Sequence, residues 1–393
     1  MRIVIAPDKF KGSLEAGEVV TGLSRALADG GLDAEIVGVP MADGGEGTVD
    51  AALSAGYRPV RVSVHGPLGG VVEATIAVDA ASATAVIEMA AASGLGTLPR
   101  NAEGQPAFDA LRASSRGTGE LIAGALDLGC RRIVLGVGGS ANTDGGAGML
   151  AALGARLLDA AGNAVPDGGG GLGELGSVDL GGLDSRLADV ELILAADVTN
   201  PLLGPRGTAA VFAPQKGADP REVTLLEANL GRLVEALAAA RGESARRVAD
   251  EPGAGAAGGV GYATLLVGGV QRAGARVVME LVGLDRAVRG ADVVITGEGS
   301  LDGQSLGGKT PVGVAVRARE LGVPVVLAVC GRAALSAAER DSVPFDRIWA
   351  LTDIEPDPAS CMRNAAALLA RVGREIVDYL DPGLPTDSPL AIG

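Results

Sequence analysis

Short apolar runs of four to six residues recur along the chain, and most end at a glycine or aspartate before a stretch with helical periodicity. The run at residues 2–6 precedes a predicted helix over residues 19–28, and the run at 133–135 leads through a glycine-rich loop to a predicted helix over 149–158. Further buried strands are predicted at residues 293–296 and 325–329. Because helices follow strands throughout, the pattern predicts an α/β fold with a largely parallel sheet.

The pattern changes between residues 60 and 86, where apolar and polar positions alternate on both sides of a Gly-Pro-Leu-Gly-Gly turn. This alternation predicts a β-hairpin and marks the start of a different domain. A helical, arginine-rich stretch at residues 225–247 precedes a glycine-containing segment, after which the chain returns to its first domain near residue 280. The predicted domains are therefore a discontinuous one, residues 1–65 and 282–393, and an inserted one, residues 66–281.

Length and composition agree with this division. The chain has 393 residues, of which 47% are hydrophobic but only 2% are aromatic. A single hydrophobic core stops growing at roughly 250–300 residues, so this length favours two domains. A core of Ala, Val, Leu and Ile is typical of parallel sheets covered by helices.

Charge and targeting features exclude several classes of protein. The formal net charge of −15 repels nucleic acid, and no apolar run is long enough to span a bilayer or to form a signal peptide. The three cysteines show no paired spacing, which fits buried thiols in a reducing compartment. The single histidine, His65, argues against histidine triads and poly-histidine metal sites. We therefore expect a cytoplasmic protein that binds neither nucleic acid nor membranes.

Lysine usage is the most informative local feature. Only four of the 33 basic residues are lysines, and all four lie in loops that contain Gly, Pro or Asp. A compact ammonium group suits phosphate oxygens, so these lysines are candidate phosphate ligands in an otherwise acidic protein. They are Lys9, Lys11, Lys216 and Lys309.

Lys309 belongs to a string that matches the letters of a P-loop, G-x-x-x-x-G-K-T over residues 303–310. In a P-loop the strand runs straight into the first glycine, whereas six residues separate Thr296 from that glycine here, and a proline follows the motif. We interpret the string as an independent phosphate-facing loop at the N-terminus of a helix.

Two carboxylates, Glu298 and Asp302, follow the predicted strand at residues 293–296. Open α/β sheets bind ligands at the carboxyl ends of their strands. Mg²⁺ is commonly held by one or two carboxylates together with nucleotide phosphates, so this pair is a candidate metal site. The alternative is that both residues only cap the next helix.

A second glycine-rich loop, residues 136–146, follows the predicted strand at 133–135. It fits the dinucleotide fingerprint G-x-G-x-x-A, so an NAD(P)-dependent hydroxy-acid dehydrogenase is an alternative function. Polar residues after Ala141 delay the helix that should begin at once, and no histidine is placed to take a proton. Both features argue against the dehydrogenase.

Two acidic loops complete the candidates, one with Asp43 and Glu46 and one with Asp197 and Asn200. Asp197 ends an apolar run and so lies at the end of a predicted strand. An aspartate in that position could accept the proton of a substrate hydroxyl or hold a metal, and Asn200 could orient either. A simple Asx-turn before Asn-Pro is the alternative.

Taken together, these loops resemble the type I glycerate kinase family from Met1 to about residue 380. The resemblance is carried by residues 6–13, 40–48, 138–146, 197–204, 214–217, 255–262 and 296–311. One small departure is the order Asn142-Thr143, where many relatives read Thr-Asn. The resemblance implies a Rossmann-like (flavodoxin-like) domain built from both chain ends, a second inserted α/β domain and a site in the cleft between them. It further implies phosphorylation of D-glycerate by ATP with Mg²⁺, generally at the 2-hydroxyl to give 2-phosphoglycerate.

The resemblance also suggests roles for individual residues. Lys11, Lys309 and the loop N–H groups would stabilise the transferring phosphoryl group, and Asp197 or Asp43 would receive the hydroxyl proton. Glu298 and Asp302 would hold Mg²⁺. The expected substrate contacts are Asp8, Lys9, Glu46 and Asn200, and the expected nucleotide or phosphate contacts are Gly138, Gly139, Ser140, Asn142, Thr143, Asp144, Gly308 and Lys309. We expect a monomer or homodimer. A sugar-acid sensor without turnover is the non-enzymatic alternative, but so many ionisable loops at strand ends argue against it.

Overall fold

The computed structural model describes residues 1–101 and 103–382. Its strands are β1 (Arg2–Pro7), β2 (Glu35–Gly38), β3 (Arg58–His65), β4 (Val71–Asp79), β5 (Thr84–Glu88), β6 (Arg132–Gly136), β7 (Arg156–Leu158), β8 (Ser177–Asp179), β9 (Glu191–Ala195), β10 (Val270–Arg272), β11 (Val293–Leu301), β12 (Val325–Ala333) and β13 (Arg347–Ala350). Its α-helices are α1 (Ala16–Asp29), α2 (Thr48–Ser54), α3 (Ala90–Ser93), α4 (Arg116–Asp127), α5 (Ala147–Ala152), α6 (Thr208–Phe212), α7 (Pro220–Arg241), α8 (Ser244–Asp250), α9 (Val260–Leu266), α10 (Gly274–Leu281), α11 (Leu284–Val288), α12 (Thr310–Glu320), α13 (Ala337–Ser342), α14 (Pro358–Arg363) and α15 (Ala365–Leu380). The predicted α/β class is confirmed.

The chain folds as two compact units, Met1–Asp43 with Val278–Gly393 and Gly44–Val277. The first boundary comes earlier than the predicted residue 65, because β3 pairs along its whole length with β4 and so belongs to the sheet of the second unit. The second boundary lies close to the predicted residue 281. The antiparallel pairing of β3 with β4 confirms the predicted hairpin.

In the first unit, the sheet has the order β13-β12-β11-β1-β2, and every pair is parallel. Numbered within the unit, this is the 2-1-3-4-5 order of flavodoxin-like folds. Neighbouring strand residues face opposite sides of a sheet. Val329 packs in one cluster with residues of α1 and α15, whereas Cys330 packs in another with Val312 of α12. Helices therefore cover both faces, and the strand order reverses between β1 and β11.

In the second unit, the larger sheet has the order β10-β9-β6-β5-β4-β3, in which the β3–β4 and β4–β5 pairs are antiparallel and the other pairs are parallel. The predicted helix over residues 149–158 is wrong in its second half. The helix ends at Ala152, and residues 156–158 form β7, which pairs with β8. Gly154 causes the change, because it adopts φ +103° and a Cβ there would lie 2.1 Å from the backbone oxygen of Gly182.

Two further predictions can be compared with the described part of the chain. Cys130, Cys330 and Cys361 are buried free thiols, as the sequence predicted. Within residues 1–101 and 103–382, no helix combines the length and the apolar character needed to cross a membrane.

Candidate active site

The carboxyl ends of β1 and β11, where the strand order of the first unit reverses, open into a cavity of about 390 Å³. That volume is within the range of small-molecule sites. Apolar parts of its wall include Phe10, Leu351 and Met362. Seven predicted site residues line it, namely Asp8, Lys9, Lys11, Asp43, Glu298, Asp302 and Lys309.

Strand β11 is longer than predicted, and this changes the position of Glu298. The strand continues to Leu301 because its glycine-containing end keeps pairing with β12, where Glu298 lies opposite Cys330. Glu298 therefore projects from the strand itself, and only Asp302 follows it. A rigid strand holds a side chain more accurately than a loop does.

Asp8 follows β1 directly and is held by the first turn of α12. Its Oδ1 accepts the backbone N–H of Lys9 at 2.7 Å, and its Oδ2 accepts the hydroxyl of Thr310 at 2.9 Å. Burial, together with repulsion from Asp43, raises the pKa of Asp8 from 3.8 to about 6. Thr310 was not predicted as a site residue, although it is the threonine of the G-x-x-x-x-G-K-T string.

Glu298 is the second perturbed carboxyl group of the cavity. Burial raises the pKa of Glu298 from 4.5 to about 7, a hydrogen bond from the Ser305 hydroxyl opposes that rise, and repulsion from Asp8 and Asp302 adds to it. Ser305 Oγ in turn accepts the backbone N–H of Asp302 at 3.1 Å. Carboxyl groups with raised pKa values in one cavity are typical of sites that bind a cation or transfer a proton.

Three of the four lysines line this same cavity. Lys309 is the N-cap residue of α12, and its Nζ donates to Gln304 Oε1 at 3.3 Å. Gly308 precedes it with φ +93°, a conformation that favours glycine. Lys11 is exposed. A helix N-terminus beside lysines is an arrangement that binds anions.

The second glycine-rich loop follows β6 in the second unit, and Asp144 organises it. The Asp144 carboxylate accepts hydrogen bonds from the side-chain amide of Asn142, the hydroxyl and N–H of Ser115, and the N–H groups of Gly146 and Gly148, at 2.8–3.2 Å. Five donors use all the lone pairs that a carboxylate offers. Asp144 therefore holds the loop together and has no oxygen left for a ligand in this conformation.

The other predicted residues of this loop differ in how much solvent they contact. Asn142 and Thr143 are fully buried, and neither Asn142 Oδ1 nor Thr143 Oγ1 has a hydrogen-bond partner among the described residues. Ser140 keeps a small exposure of 8%. Of these side chains, Ser140 is the one that a ligand can reach.

The sequence predicted Lys216 as a candidate phosphate ligand but assigned it no specific contact in the site. Its ammonium group is buried and donates to Ser140 Oγ at 2.8 Å and to the backbone oxygen of Asn142 at 2.5 Å. Burial lowers the pKa of Lys216 from 10.5 to about 7, and the charge of Asp144 acts in the opposite direction. Its status as one of four lysines was the available signal, but the sequence did not show which loop it contacts.

The remaining candidates, Glu46, Asp197 and Asn200, also belong to the second unit. Asp197 is exposed just beyond β9, and its Oδ1 accepts the N–H of Gly274 at 3.0 Å. The segment before Glu46 packs on the glycine-rich loop so closely that a Cβ at Gly138 would lie 2.9 Å from the Cα of Gly45. Asn200 donates through Nδ2 to the backbone oxygen of Arg206 at 2.7 Å, which holds its own loop.

Comparisons with known proteins identify the family of this chain. The sequence matches the Glycerate kinase family over residues 3–381. It is 43% identical to a glycerate kinase of Bacillus subtilis over 96% of this chain and 97% of that protein, and 45% identical to a glycerate 2-kinase of Escherichia coli over 83% and 84%. A crystal structure from Salmonella typhimurium LT2, provisionally described as glycerate kinase 2, is 40% identical and superposes with a TM-score of 0.82 over 98% of this chain and 99% of that one. With a match across nearly its whole length, this chain belongs to the glycerate kinase family of enzymes.

Proposed function

We propose that this enzyme phosphorylates D-glycerate with ATP and Mg²⁺, at the 2-hydroxyl, to give 2-phosphoglycerate. The observation that carries the proposal is the cavity of the first unit, where three lysines and four carboxylates meet at the point of strand reversal. Phosphoryl transfer depends on cations around the moving group and on a metal held by acidic residues. The name of the Escherichia coli relative supports the choice of the 2-hydroxyl.

Glu298 and Asp302 are the residues that would hold Mg²⁺. Among the described residues, no group of three or more His, Cys, Asp or Glu side chains has the geometry of a metal site. Two carboxylates are nevertheless enough when nucleotide phosphates and waters complete the shell. Their mutual repulsion, which contributes to the raised pKa of Glu298, is what a divalent cation would relieve. When bound, Mg²⁺ neutralises charge on the phosphate oxygens.

The other residues are proposed to act as the family resemblance implies. Lys11 and Lys309 stabilise the charge on the transferring phosphoryl group, as do the N–H groups of Gly138, Gly139 and Ser140. Asp197 or Asp43 receives the proton of the substrate hydroxyl. The proposed substrate contacts are Asp8, Lys9, Glu46 and Asn200.

The dehydrogenase alternative is weakened by the loop after β6. In a dinucleotide-binding fold the glycine-rich turn opens directly into a helix. Here α5 begins only at Ala147, and the intervening segment is fixed by the Asp144 hydrogen bonds. The sensor alternative predicts binding of a sugar acid without turnover.

Phosphorus NMR of a mixture of enzyme, ATP, Mg²⁺ and D-glycerate tests the proposal. The expected products are ADP and 2-phosphoglycerate, and none should form when EDTA removes the metal. A 3-phosphoglycerate product would retain the kinase and overturn the regiochemistry. Turnover of a hydroxy acid with NAD, without ADP, would favour the dehydrogenase instead.

A further inference from the structure

Lys216 is a buried cation that none of the roles above uses. It lies at the end of a short 3-10 turn, Pro214–Lys216, and only 2% of its surface is exposed. Ammonium groups are expensive to bury without a carboxylate partner, and burial is the main cause of the lowered pKa of Lys216. Its two hydrogen-bond acceptors are neutral oxygens. A residue kept at such a cost to stability calls for a functional explanation.

The contacts of Lys216 converge on the glycine-rich loop. It donates to Ser140 Oγ and to the backbone oxygen of Asn142, on either side of Ala141. Since the lysine donates to Oγ, the hydroxyl hydrogen of Ser140 is left to donate elsewhere. This hydroxyl donates no hydrogen bond within residues 1–101 and 103–382, and Ser140 is the polar side chain of this loop that retains exposure.

We propose that Lys216 is a positioning residue that acts through Ser140, holding the loop and directing the Ser140 hydroxyl hydrogen towards an oxyanion of a reactant. A hydroxyl group that accepts from a cation donates more strongly, because hydrogen bonds in a chain polarise one another. The inference rests on the proposed function. The oxyanion belongs either to a phosphate of ATP or to the carboxylate of D-glycerate, and kinetics separates the two.

The test compares Lys216→Met, Ser140→Ala and the double variant with the wild type. Lys216→Met should raise KM for one reactant roughly tenfold to a hundredfold, the range for losing a charge-assisted hydrogen bond, and should leave the other KM nearly unchanged. The reactant affected identifies the oxyanion. Because Lys216 acts through Ser140, the double variant should be little worse than Ser140→Ala alone.

Thermal unfolding supplies the readout that separates positioning from a structural role. Lys216→Met ends the cost of burying an ammonium group but removes the donor to the backbone oxygen of Asn142, so its unfolding temperature should stay close to that of the wild type. A lower unfolding temperature with both KM values unchanged would overturn the proposal, and so would additive effects in the double variant. Thr264→Val is the matched control, since it removes a buried hydroxyl from the same unit and should change neither KM.

Failure of the proposed function would give a different result. A wild-type enzyme that forms no ADP from ATP and D-glycerate refutes that function, not the role of Lys216. Calorimetric titrations with inorganic phosphate and with D-glycerate then decide the latter, because Lys216→Met should bind one of the two anions more weakly than the wild type. Equal affinities of the two proteins for both anions would refute the positioning role. If Lys216→Met does not fold, Ser140→Ala in the same titrations provides the same comparison.

Discussion

Both units of this enzyme hold buried or half-buried carboxylates at the carboxyl edge of a sheet. The number of hydrogen bonds that each carboxylate accepts differs between the two units. In the second unit, Asp144 accepts five hydrogen bonds from its own surroundings. In the first unit, Asp8 accepts two and Glu298 accepts one among the described residues. Burial raises the pKa of Asp8 to about 6 and that of Glu298 to about 7.

We infer that the difference separates carboxylates with a structural role from carboxylates available to a ligand. A buried carboxylate with a full set of donors fixes the backbone around it and has nothing left to offer a ligand. Carboxylates with few donors and raised pKa values are poorly satisfied until a cation or proton arrives. Substitutions of these two kinds of carboxylate should therefore affect different properties, with activity lost at Asp8 and Glu298 and stability lost at Asp144.

The largest effect is expected for Lys309→Met. Lys309 lines the cavity at the N-terminus of α12, and we propose that its charge stabilises the transferring phosphoryl group. Losing one preorganised donor of this kind typically lowers kcat by about 10²–10³-fold. We expect that loss in a coupled ADP assay, with little change in the unfolding temperature because the side chain is only partly buried.

Arg374→Met provides the control for charge alone. Arg374 is an exposed cation of α15 in the same unit and does not line the cavity. Its replacement should leave kcat within about twofold, as expected for a surface position. Undiminished activity of Lys309→Met would remove that lysine from the site.

Asp144→Asn should produce the next largest effect, on stability. An amide in place of the carboxylate points N–H groups at the donors of Ser115 or of Gly146, and it leaves buried groups unsatisfied. We expect a loss of about 3 kcal/mol, which for a unit of this size lowers the unfolding temperature by roughly 6–12 °C. Differential scanning calorimetry measures it.

Asp159→Asn is the matched comparison for Asp144→Asn. Asp159 also accepts backbone N–H groups in the second unit, from Ala161 and Asn163, but these hydrogen bonds are exposed to solvent. Water can replace those donors, so its substitution should cost less than about 1 kcal/mol. Equal losses in the free energy of unfolding for Asp159→Asn and Asp144→Asn would mean that burial of the Asp144 network adds nothing to stability.

The sequence predicted the secondary-structure elements of the first unit better than those of the second. Alternation of short apolar runs with helices identified β1, β11 and β12, because buried parallel strands are recognisable by composition. Strand order is not encoded in the local sequence. The proximity of Asp8 to Glu298 could therefore be known only from the structure or from family resemblance. The end of the helix at Ala152 was missed because Gly154 acts through a close approach to a distant glycine.

Roles that depend on whether a side chain has used all its hydrogen-bonding capacity could not be predicted from the sequence either. In the sequence, Asp144 is an acidic residue of a loop and Lys216 is a basic residue of a loop, and both kinds of residue occur in phosphate sites. Only the positions of Ser115 and Ser140 show that the hydrogen-bonding capacity of Asp144 is used internally and that Lys216 donates to the loop from a buried position. Spacing along the chain could not distinguish these roles, because the partners lie far apart in sequence.

The smallest expected effect concerns the carboxyl groups of the first unit, which accept few hydrogen bonds. Because the folded-state pKa of Glu298 is raised from 4.5 to about 7, the native protein binds more protons than the unfolded chain in that window. Its stabilising contribution is thus present below pH 4.5 and is lost as the pH rises through about 7. Glu298→Gln stays neutral, so without ligand it should be the more stable protein at pH 8 but not at pH 4.5.

The expected advantage of Glu298→Gln at pH 8 is about 1 kcal/mol, or roughly 2–4 °C in unfolding temperature, since solvent screens a side chain that is only partly buried. Added Mg²⁺ and ADP should reverse it, because a cation satisfies the wild-type carboxylate and cannot be held as well by the amide. Differential scanning calorimetry at both pH values, with and without ligand, measures the difference. An advantage of the same size at both pH values would mean that the pKa of Glu298 is not raised, and the contrast with Asp144 would then be one of hydrogen-bond number alone.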